Sequence, residues 1–355
     1  MDIESISNFV SIVISSFLGI HFLSLGGKSN RADTFLGLFL IFTTVSVLDS
    51  ELYPLDPEFA PFQWIFPLGS PYLTAPTLLY YALGMTNSLD VKGRKYAWAF
   101  LPAVVDILLR LIFPELGPVA DISTLLSSLF SLYIFYLILQ ELRLHNRAIL
   151  NVFSTIEDKK LNWLRGLIAT NIGFALLWLL DDSLQMFWED NPISPALILI
   201  SLFATLITIL WIGFAGLRQE RIYVDVKEEE KENPVEQSAT IPDLDRRYRE
   251  LVERIEEGKL YLDKDLTLGE LAKAYGMRNR ELSQLINQGF GENFYHFINH
   301  FRVGYYKTLL DQPKYRAMSI EGLSLEAGFN SKSTFYAAFK KVEGMTPKQF
   351  QQGLK

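Results

Sequence analysis

The residues that could do chemistry in this chain are few, and what is missing narrows the field. There is no cysteine, which removes disulfides, thiolate metal sites and thiol nucleophiles. Of the four histidines, His21, His145, His296 and His300, only the last two sit four apart on a helical pattern. That spacing could hold a metal, yet no carboxylate motif backs it and neither HExxH nor CxxC spacing occurs, so packing or surface roles are expected. No glycine-rich nucleotide loop and no convincing nucleophile–base pair is present. The expectation is a chain that is not an enzyme, with no catalytic residue, no cofactor and no metal site. Two sets of polar side chains remain. One is Arg278, Arg280, Ser283, Gln284 and Asn287, followed by Lys332, Ser333, Thr334 and Lys340, all near the C-terminus. The other is Asp49, Asp106, Arg110, Asp181 and Asp182, scattered along an apolar stretch.

The elements that carry these sets differ in kind. The 355 residues suffice for two or three domains. Mean hydropathy is positive although 21% of residues are charged, which requires apolar and charged residues to be segregated along the chain. Long apolar runs fall before residue 218, and charge density rises after it. A bilayer core needs about 20 apolar residues per helix at 1.5 Å rise each. Seven runs qualify as predicted spans: Ile3–Leu25, Asp33–Leu48, Trp64–Met85, Tyr96–Phe113, Ile122–Leu139, Trp163–Leu180 and Ser194–Leu217. The second is short, and Pro67, Pro71 and Pro76 bend the third or make its outer part re-entrant. No cleavable signal peptide is expected. Asp2 and Glu4 stand where a basic segment belongs, and no small-x-small site follows the first run.

Loop charge orients these spans. Lys28 and Arg31 follow the first, Lys92, Arg94 and Lys95 the third. Arg143, Arg147, Lys159, Lys160 and Arg165 surround the fifth-to-sixth connection, and Arg218 and Arg221 follow the seventh. The alternate loops contain acidic residues and no lysine or arginine. The positive-inside rule then puts the N-terminus outside and the C-terminus in the cytoplasm. Asp106 and Arg110, four apart in the fourth span, could pair on one helix face. Together with Asp49, Asp181 and Asp182, and with Trp178 and Trp188, they could line an outward-facing ligand pocket, since ionisable groups at membrane depth are functional candidates. The alternative is that they mark wet helix ends.

Past the last span, Lys227-Glu-Glu-Glu-Lys-Glu-Asn-Pro234 reads as a solvated linker. Leu244, Tyr248, Leu251, Val252 and Ile255 then mark an amphipathic helix, which either packs on the following domain or transmits and dimerises. From Leu260 on, lysine and arginine outnumber aspartate and glutamate in a chain whose net charge is −7, a basic island suited to an anionic partner. Thr267-Leu-Gly-Glu270 is a capping box. It starts a short helix that ends at Gly276, and a second helix begins near Arg278 with Leu282, Leu285 and Ile286 inward. Helix, glycine turn and helix at this spacing form a helix-turn-helix. A longer helix is expected from about Asn293 to Leu310. The unit then recurs: Ile320, Leu323 and Ser324, the turn Gly328-Phe329, a cap at Asn330 or Ser331, and a helix with Phe335 and Phe339 inward. Lys332, Ser333, Thr334 and Ala337 are expected to face outward.

Leu271-Ala272, Leu282-Ser-Gln-Leu-Ile-Asn287, Phe301-Arg302-Val303, Gly328-Phe329, Ser333-Thr-Phe335, Phe339-Lys340 and Gly344-Met-Thr-Pro347 together resemble the DNA-binding domain of AraC-type bacterial regulators. Asn293-Phe-Tyr-His-Phe-Ile-Asn299 behind a polytopic half, and Ala75-Pro-Thr-Leu-Leu-Tyr-Tyr81, are similar to a membrane-embedded branch of that family. The resemblance implies two recognition helices reading successive major grooves of double-stranded DNA, with Lys307, Lys314, Lys340 and Lys341 on phosphates. Gly322 and Ser324 depart from the family pattern, as does Ala337 where a long polar side chain is common. The expected architecture is all-α: a seven-span transmembrane domain (1–217), a charged linker with an amphipathic helix (218–259), and an AraC-like domain (260–355). It would lie in the bacterial cytoplasmic membrane as a one-component sensor. Its partners would be DNA, the lipid bilayer, an unknown small-molecule or membrane signal, and possibly a second copy. The competing expectation is a transporter or receptor whose helical tail binds a regulatory protein.

Overall fold

A computed structural model describes residues 3–26, 31–52, 70–112, 117–157, 159–187, 194–218, 243–315 and 318–353. The chain is all-α and divides into two compact units. One comprises Met1–Arg143 with Leu161–Val224, the other Leu144–Lys160 with Asp225–Lys355.

The first unit contains α1 (Ile3–Leu25), α2 (Arg31–Leu52), α3 (Thr74–Met85), α4 (Leu89–Tyr96), α5 (Leu101–Ile112), the first part of α6 (Gly117–Val152), α7 (Asn162–Phe187) and α8 (Ser194–Arg218). Its helices share a buried apolar core that includes Phe22, Leu36, Leu78 and Leu164, yet its outer surface is apolar as well. On α1, Phe9, Val13, Phe17 and Ile20 are exposed, while Ser7, Ser11 and Ser15 are buried. Ser15 Oγ bonds the Ser11 carbonyl at 2.6 Å and meets Thr44 Oγ1 of α2 at 2.7 Å. Small residues let these two helices touch. A Cβ at Gly37 would come within 2.9 Å of the Gly19 carbonyl oxygen, and one at Gly19 within 2.9 Å of Ile41 Cδ1.

Among the described residues, five helices are long and apolar enough to cross a membrane, their apolar stretches being Ile6–Leu25, Arg31–Leu48, Leu125–Val152, Asn162–Asp181 and Pro195–Gly216. The expected third and fourth spans differ from this. Residues 64–69 lie outside the described part, and α3 and α5 have only 12 residues each. Proline position explains both starts. Pro76 and Pro102 fall in the first turns of α3 and α5, where the N–H groups have no intrahelical acceptor and proline costs nothing. Residues 97–100 form a 3₁₀ turn rather than the start of a span. α3 is nearly enclosed, with Ala75–Leu79 and Tyr81–Leu83 buried. Polar groups of α2, α4 and α6 pair: Arg31 with Asp90 at 2.8 Å, and Lys92 with the buried Glu141, inside α6, at 2.7 Å.

The second unit contains the end of α6, the segment 153–160, α9 (Leu244–Gly258), α10 (Leu268–Tyr275), α11 (Asn279–Gly289), α12 (Phe294–Leu310), α13 (Ile320–Glu326), α14 (Lys332–Glu343) and α15 (Pro347–Gly353). It holds two apolar cores strung on α12. Phe294, Phe297 and Ile298 enter the first with Leu271, Leu282, Leu285 and Ile286. Val303, Tyr306 and Leu309 enter the second with Leu323, Phe329, Phe335 and Phe339. Leu251 and Ile255 of α9 are buried in the first core, and Leu244 and Tyr248 pack against it, so the amphipathic helix packs on the domain that follows it. Arg254 donates to the Tyr275 carbonyl at 3.3 Å, and the Tyr275 hydroxyl donates back to the Arg254 carbonyl at 2.9 Å.

Gly322 lies inside α13, where glycine costs roughly 1 kcal/mol relative to alanine. The atoms nearest an added Cβ would be Met318 Cε at 3.1 Å, the flexible end of an exposed side chain, Ser319 Oγ at 3.4 Å and Met318 Cβ at 3.9 Å. Gly322→Ala is therefore expected to stabilise the second core by about 0.5–1 kcal/mol, read as a rise in the thermal midpoint of the purified chain.

Candidate nucleic-acid interface

Local rules build both helix-turn-helix units. Thr267 Oγ1 accepts from the Glu270 N–H at 3.2 Å, and Glu270 Oε2 accepts from the Thr267 N–H at 2.8 Å. That closes the capping box at the start of α10. Gly276 ends α10 at φ 68°, and the Met277 N–H returns to the Ala272 carbonyl at 2.8 Å. Arg278, extended, precedes α11. In the second unit Ser319 caps α13, Gly328 makes the turn at φ 88°, and Ser331 caps α14 by accepting from the Thr334 N–H at 3.2 Å.

The second helix of the first unit, α11, buries Leu282, Leu285 and Ile286. Its opposite side presents Asn287 exposed, with Arg280, Ser283 and Gln284 half-exposed, and Arg278 is exposed just before the helix begins. Four of the five predicted contact residues thus share one accessible side of α11, with Arg278 at its start. On α14, Lys332, Ser333, Ala337 and Lys340 are exposed. Thr334 is not: it is 5% exposed, with its hydroxyl 2.9 Å from Ser331 Oγ and bonded to the Tyr295 side chain. The expectation that it faces outward is corrected. Thr334 lies one turn from Ala338 and next to Phe335, on the face α14 turns toward α12. Tyr336, at four-residue spacing from Lys332 and Lys340, stands on the accessible side instead, with Lys332 Nζ 5.8 Å from its ring centre. The period of four through two lysines could have revealed it.

The basic side chains around this surface are already engaged. Lys332 pairs with Glu321, which raises its pKa. Lys307 pairs with Glu343 at 2.9 Å and Lys341 with Glu292 at 2.6 Å, while Lys314 Nζ lies 5.0 Å from the Tyr315 ring centre. A phosphate would have to compete with these carboxylates. His296 is half-buried, and burial followed by Lys341 lowers its pKa; His300 is exposed against Phe290. Among the described residues no group of three or more histidines or carboxylates is placed to hold a metal.

Behind the interface is a buried polar joint. Arg302 of α12 is 0% exposed. Its Nε donates to the Tyr261 carbonyl at 2.6 Å. Its two terminal nitrogens donate to the Asp263 carbonyl at 2.7 Å, the Ser154 carbonyl at 3.2 Å, Ser154 Oγ at 3.0 Å and Asn299 Oδ1 at 3.4 Å. Burial lowers the guanidinium pKa to about 10 and raises the neighbouring Tyr295 phenol to about 12. Both values leave arginine charged and tyrosine neutral at physiological pH. Nothing local in the sequence marks Arg302 as joined to Ser154, 148 residues away.

The candidate signal residues of the first unit are placed separately. Asp106 and Asp181 are buried, at 7% and 2% exposure, and Trp178 is exposed. Asp49, Arg110 and Asp182 belong to α2, α5 and α7, but their side chains lie outside the described part, as does Trp188; so does the expected Asp106–Arg110 pairing. An apolar groove between α1 and α8 is lined by Val13, Phe17, Leu210 and Phe214 and by none of these charges.

Two capped helix pairs joined by one helix define a tandem helix-turn-helix domain of the AraC type. Residues 271–353 match the family model described as a helix-turn-helix domain. The same region is homologous to HTH-type transcriptional regulators. Uncharacterized HTH-type transcriptional regulators of Staphylococcus aureus strains COL and MRSA252 are each 32% identical over 93 residues. The match covers 26% of this chain and 12% of each relative's length. No solved structure matches.

Proposed function

We propose that the chain is a membrane-embedded transcription regulator that binds specific double-stranded DNA through its C-terminal unit. The carrying observation is the accessible side of α11, where Arg280, Ser283, Gln284 and Asn287 stand away from the buried Leu282, Leu285 and Ile286, with Arg278 exposed at the start of the helix. Arg280 would read guanine and Gln284 adenine in the major groove, because their side chains present the matching bidentate donors and acceptors. Lys332, Ser333 and Lys340 would serve on α14, with Tyr336 beside them. α12 has 17 residues, about 25 Å of rise, while successive grooves are about 34 Å apart. Both recognition helices therefore engage one duplex only if they splay beyond the ends of α12 or the DNA bends.

Support for the membrane comes from the first unit's apolar outer surface and from the five long apolar helices among the described residues. The positive-inside reading puts Arg31, Asp90, Lys92 and Glu141 at one membrane face, and these four residues pair with one another. On that reading the N-terminus is outside and the C-terminal unit cytoplasmic. The membrane unit would receive a signal, with the buried Asp106 and Asp181 as its candidate ligand contacts alongside Asp49, Arg110 and Asp182. A ligand there acts only through a difference in affinity between two helix arrangements.

Arg280→Ala and Gln284→Ala are each expected to weaken specific binding by about 1–3 kcal/mol while leaving nonspecific binding nearly unchanged. A mobility-shift titration of the purified full-length chain, at fixed salt, against specific and scrambled duplexes measures this. Equal affinity of wild type and both variants for the specific duplex would remove the assignment.

A further inference from the structure

Among the described residues, a stretch of chain far from the helix-turn-helix units in sequence is built into them. Phe153 forms an antiparallel bridge with Thr267, and the Ser154 N–H donates to the Leu266 carbonyl at 3.1 Å. Thr155 Oγ1 donates to the Lys264 carbonyl at 2.6 Å. Ser154, Thr155 and Ile156 are 0%, 4% and 2% exposed. Ser154 also supplies two of the five acceptors of Arg302. The dock thus touches the loop that leads into α10 and, through Arg302, the middle of α12, the helix shared by both cores. Surface loops carry their polar backbone to water; this one is sealed inside a domain to which it is not adjacent in sequence.

We propose that residues Phe153–Glu157 form a strap that couples the helices α6 and α7 to the DNA-binding unit by holding its two helix-turn-helix units in register. This rests on the DNA-binding reading above. The strap is the direct continuation of α6, a single helix of 36 residues, about 54 Å long. That exceeds the roughly 30 Å of a bilayer core. Lys160 and Leu161 lead from the strap straight into α7. The dock is therefore tethered along the chain to α6 on one side and to α7 on the other. The dock is not fully satisfied: Glu157 Oε2 and Asn299 Nδ2 are buried without a hydrogen-bond partner. Unpaired buried polar groups each cost free energy, which offsets part of what the other contacts of the dock contribute. Released, Arg302 loses two acceptors, the joint loosens, and the recognition helices lose their fixed separation.

The absence of cysteine makes a direct test clean. Bridge partners in antiparallel chains have Cα atoms about 4.5–5.5 Å apart, inside the roughly 4.4–6.8 Å range of disulfides. In full-length protein in lipid nanodiscs, the Phe153→Cys, Thr267→Cys pair is expected to form an intramolecular disulfide under mild oxidation, seen by mass spectrometry, with neither single variant reacting. DNA binding is then measured with the duplex most enriched when the full-length wild type is crosslinked to its own genome. Ser154→Ala with Thr155→Val should bind this duplex at least tenfold more weakly, and the oxidised cysteine pair at least as tightly as wild type. Thermal unfolding of the Ser154→Ala, Thr155→Val variant beside wild type separates loss of the strap from loss of the fold. Failure of the disulfide to form, or unchanged affinity of the Ser154→Ala, Thr155→Val variant, overturns the strap. If wild type binds no duplex at all, the DNA-binding reading fails, and the disulfide still reports whether the strap docks.

Discussion

Replacing Arg302 with methionine is expected to destabilise the C-terminal unit by about 3–5 kcal/mol. Methionine fills much of the volume and relieves the cost of burying a charge. It also strips the donors from the carbonyls of Tyr261, Asp263 and Ser154 and from Ser154 Oγ, in a place that water does not reach. Each stranded acceptor costs about 1–3 kcal/mol, so the loss outweighs the relief. Because Arg302 joins the α10 approach, α12 and the 153–157 segment, the damage should be shared by both cores rather than confined to one. Hydrogen exchange on the full-length chain measures it. Protection of the slowest amides in α10, α12 and α14 should fall more than a hundredfold, as 1.4 kcal/mol is a factor of ten. A fall of less than tenfold would show that the arginine bonds are dispensable.

The second large effect is expected at Gly328. Its φ of 88° lies in the region that side chains avoid, and an added Cβ would sit 3.0 Å from Leu262 Cα, the Leu262 carbonyl oxygen and the Tyr261 carbonyl oxygen. All three are backbone atoms, and Tyr261 O is also the acceptor of Arg302 Nε, so they cannot yield without disturbing the joint. Gly328→Ala should cost about 2–4 kcal/mol, from left-handed strain plus the clash. Gly276 provides the internal comparison. Its φ is 68°, but nothing lies within 4 Å of a Cβ there. Gly276→Ala should cost only about 1 kcal/mol. Thermal unfolding of the two variants side by side separates backbone strain from close approach. Equal losses would mean that the Leu262 contact is unimportant.

These positions also show what could be read from the chain itself. The capping box Thr267–Glu270, the turns at Gly276 and Gly328, and the length of α12 follow from rules that operate within a few residues, and each lies where spacing predicts it. The accessible side of α11 is equally local, since Leu282, Leu285 and Ile286 fix the opposite face. The burial of Thr334 is not legible in the sequence, because α14 meets α12 on a broader face than Phe335 and Phe339 alone define and Tyr295 reaches it from another helix. The prolines at 76 and 102 were visible, but hydropathy ran through them and hid that helices must start there. The 153–157 dock was invisible for a stronger reason. Its contacts join residues 109 to 148 positions apart, and short polar residues such as Ser154 and Thr155 look like any surface turn. The candidate signal residues Asp106 and Asp181 carry charge at positions the structure buries, which sequence alone left open between pocket and interface.

The central claim, that a membrane-held chain reads specific DNA, is tested most directly by crosslinking the full-length protein to its genome in intact cells. Complexes are recovered from washed membranes, for wild type and for the Arg280→Ala, Gln284→Ala variant. The account predicts discrete enriched sites sharing one sequence motif in the wild-type membrane fraction, and loss of most of that enrichment in the variant. Recovery of the wild-type protein in the membrane fraction with no enriched sites, or enrichment unchanged by the double substitution, would contradict it.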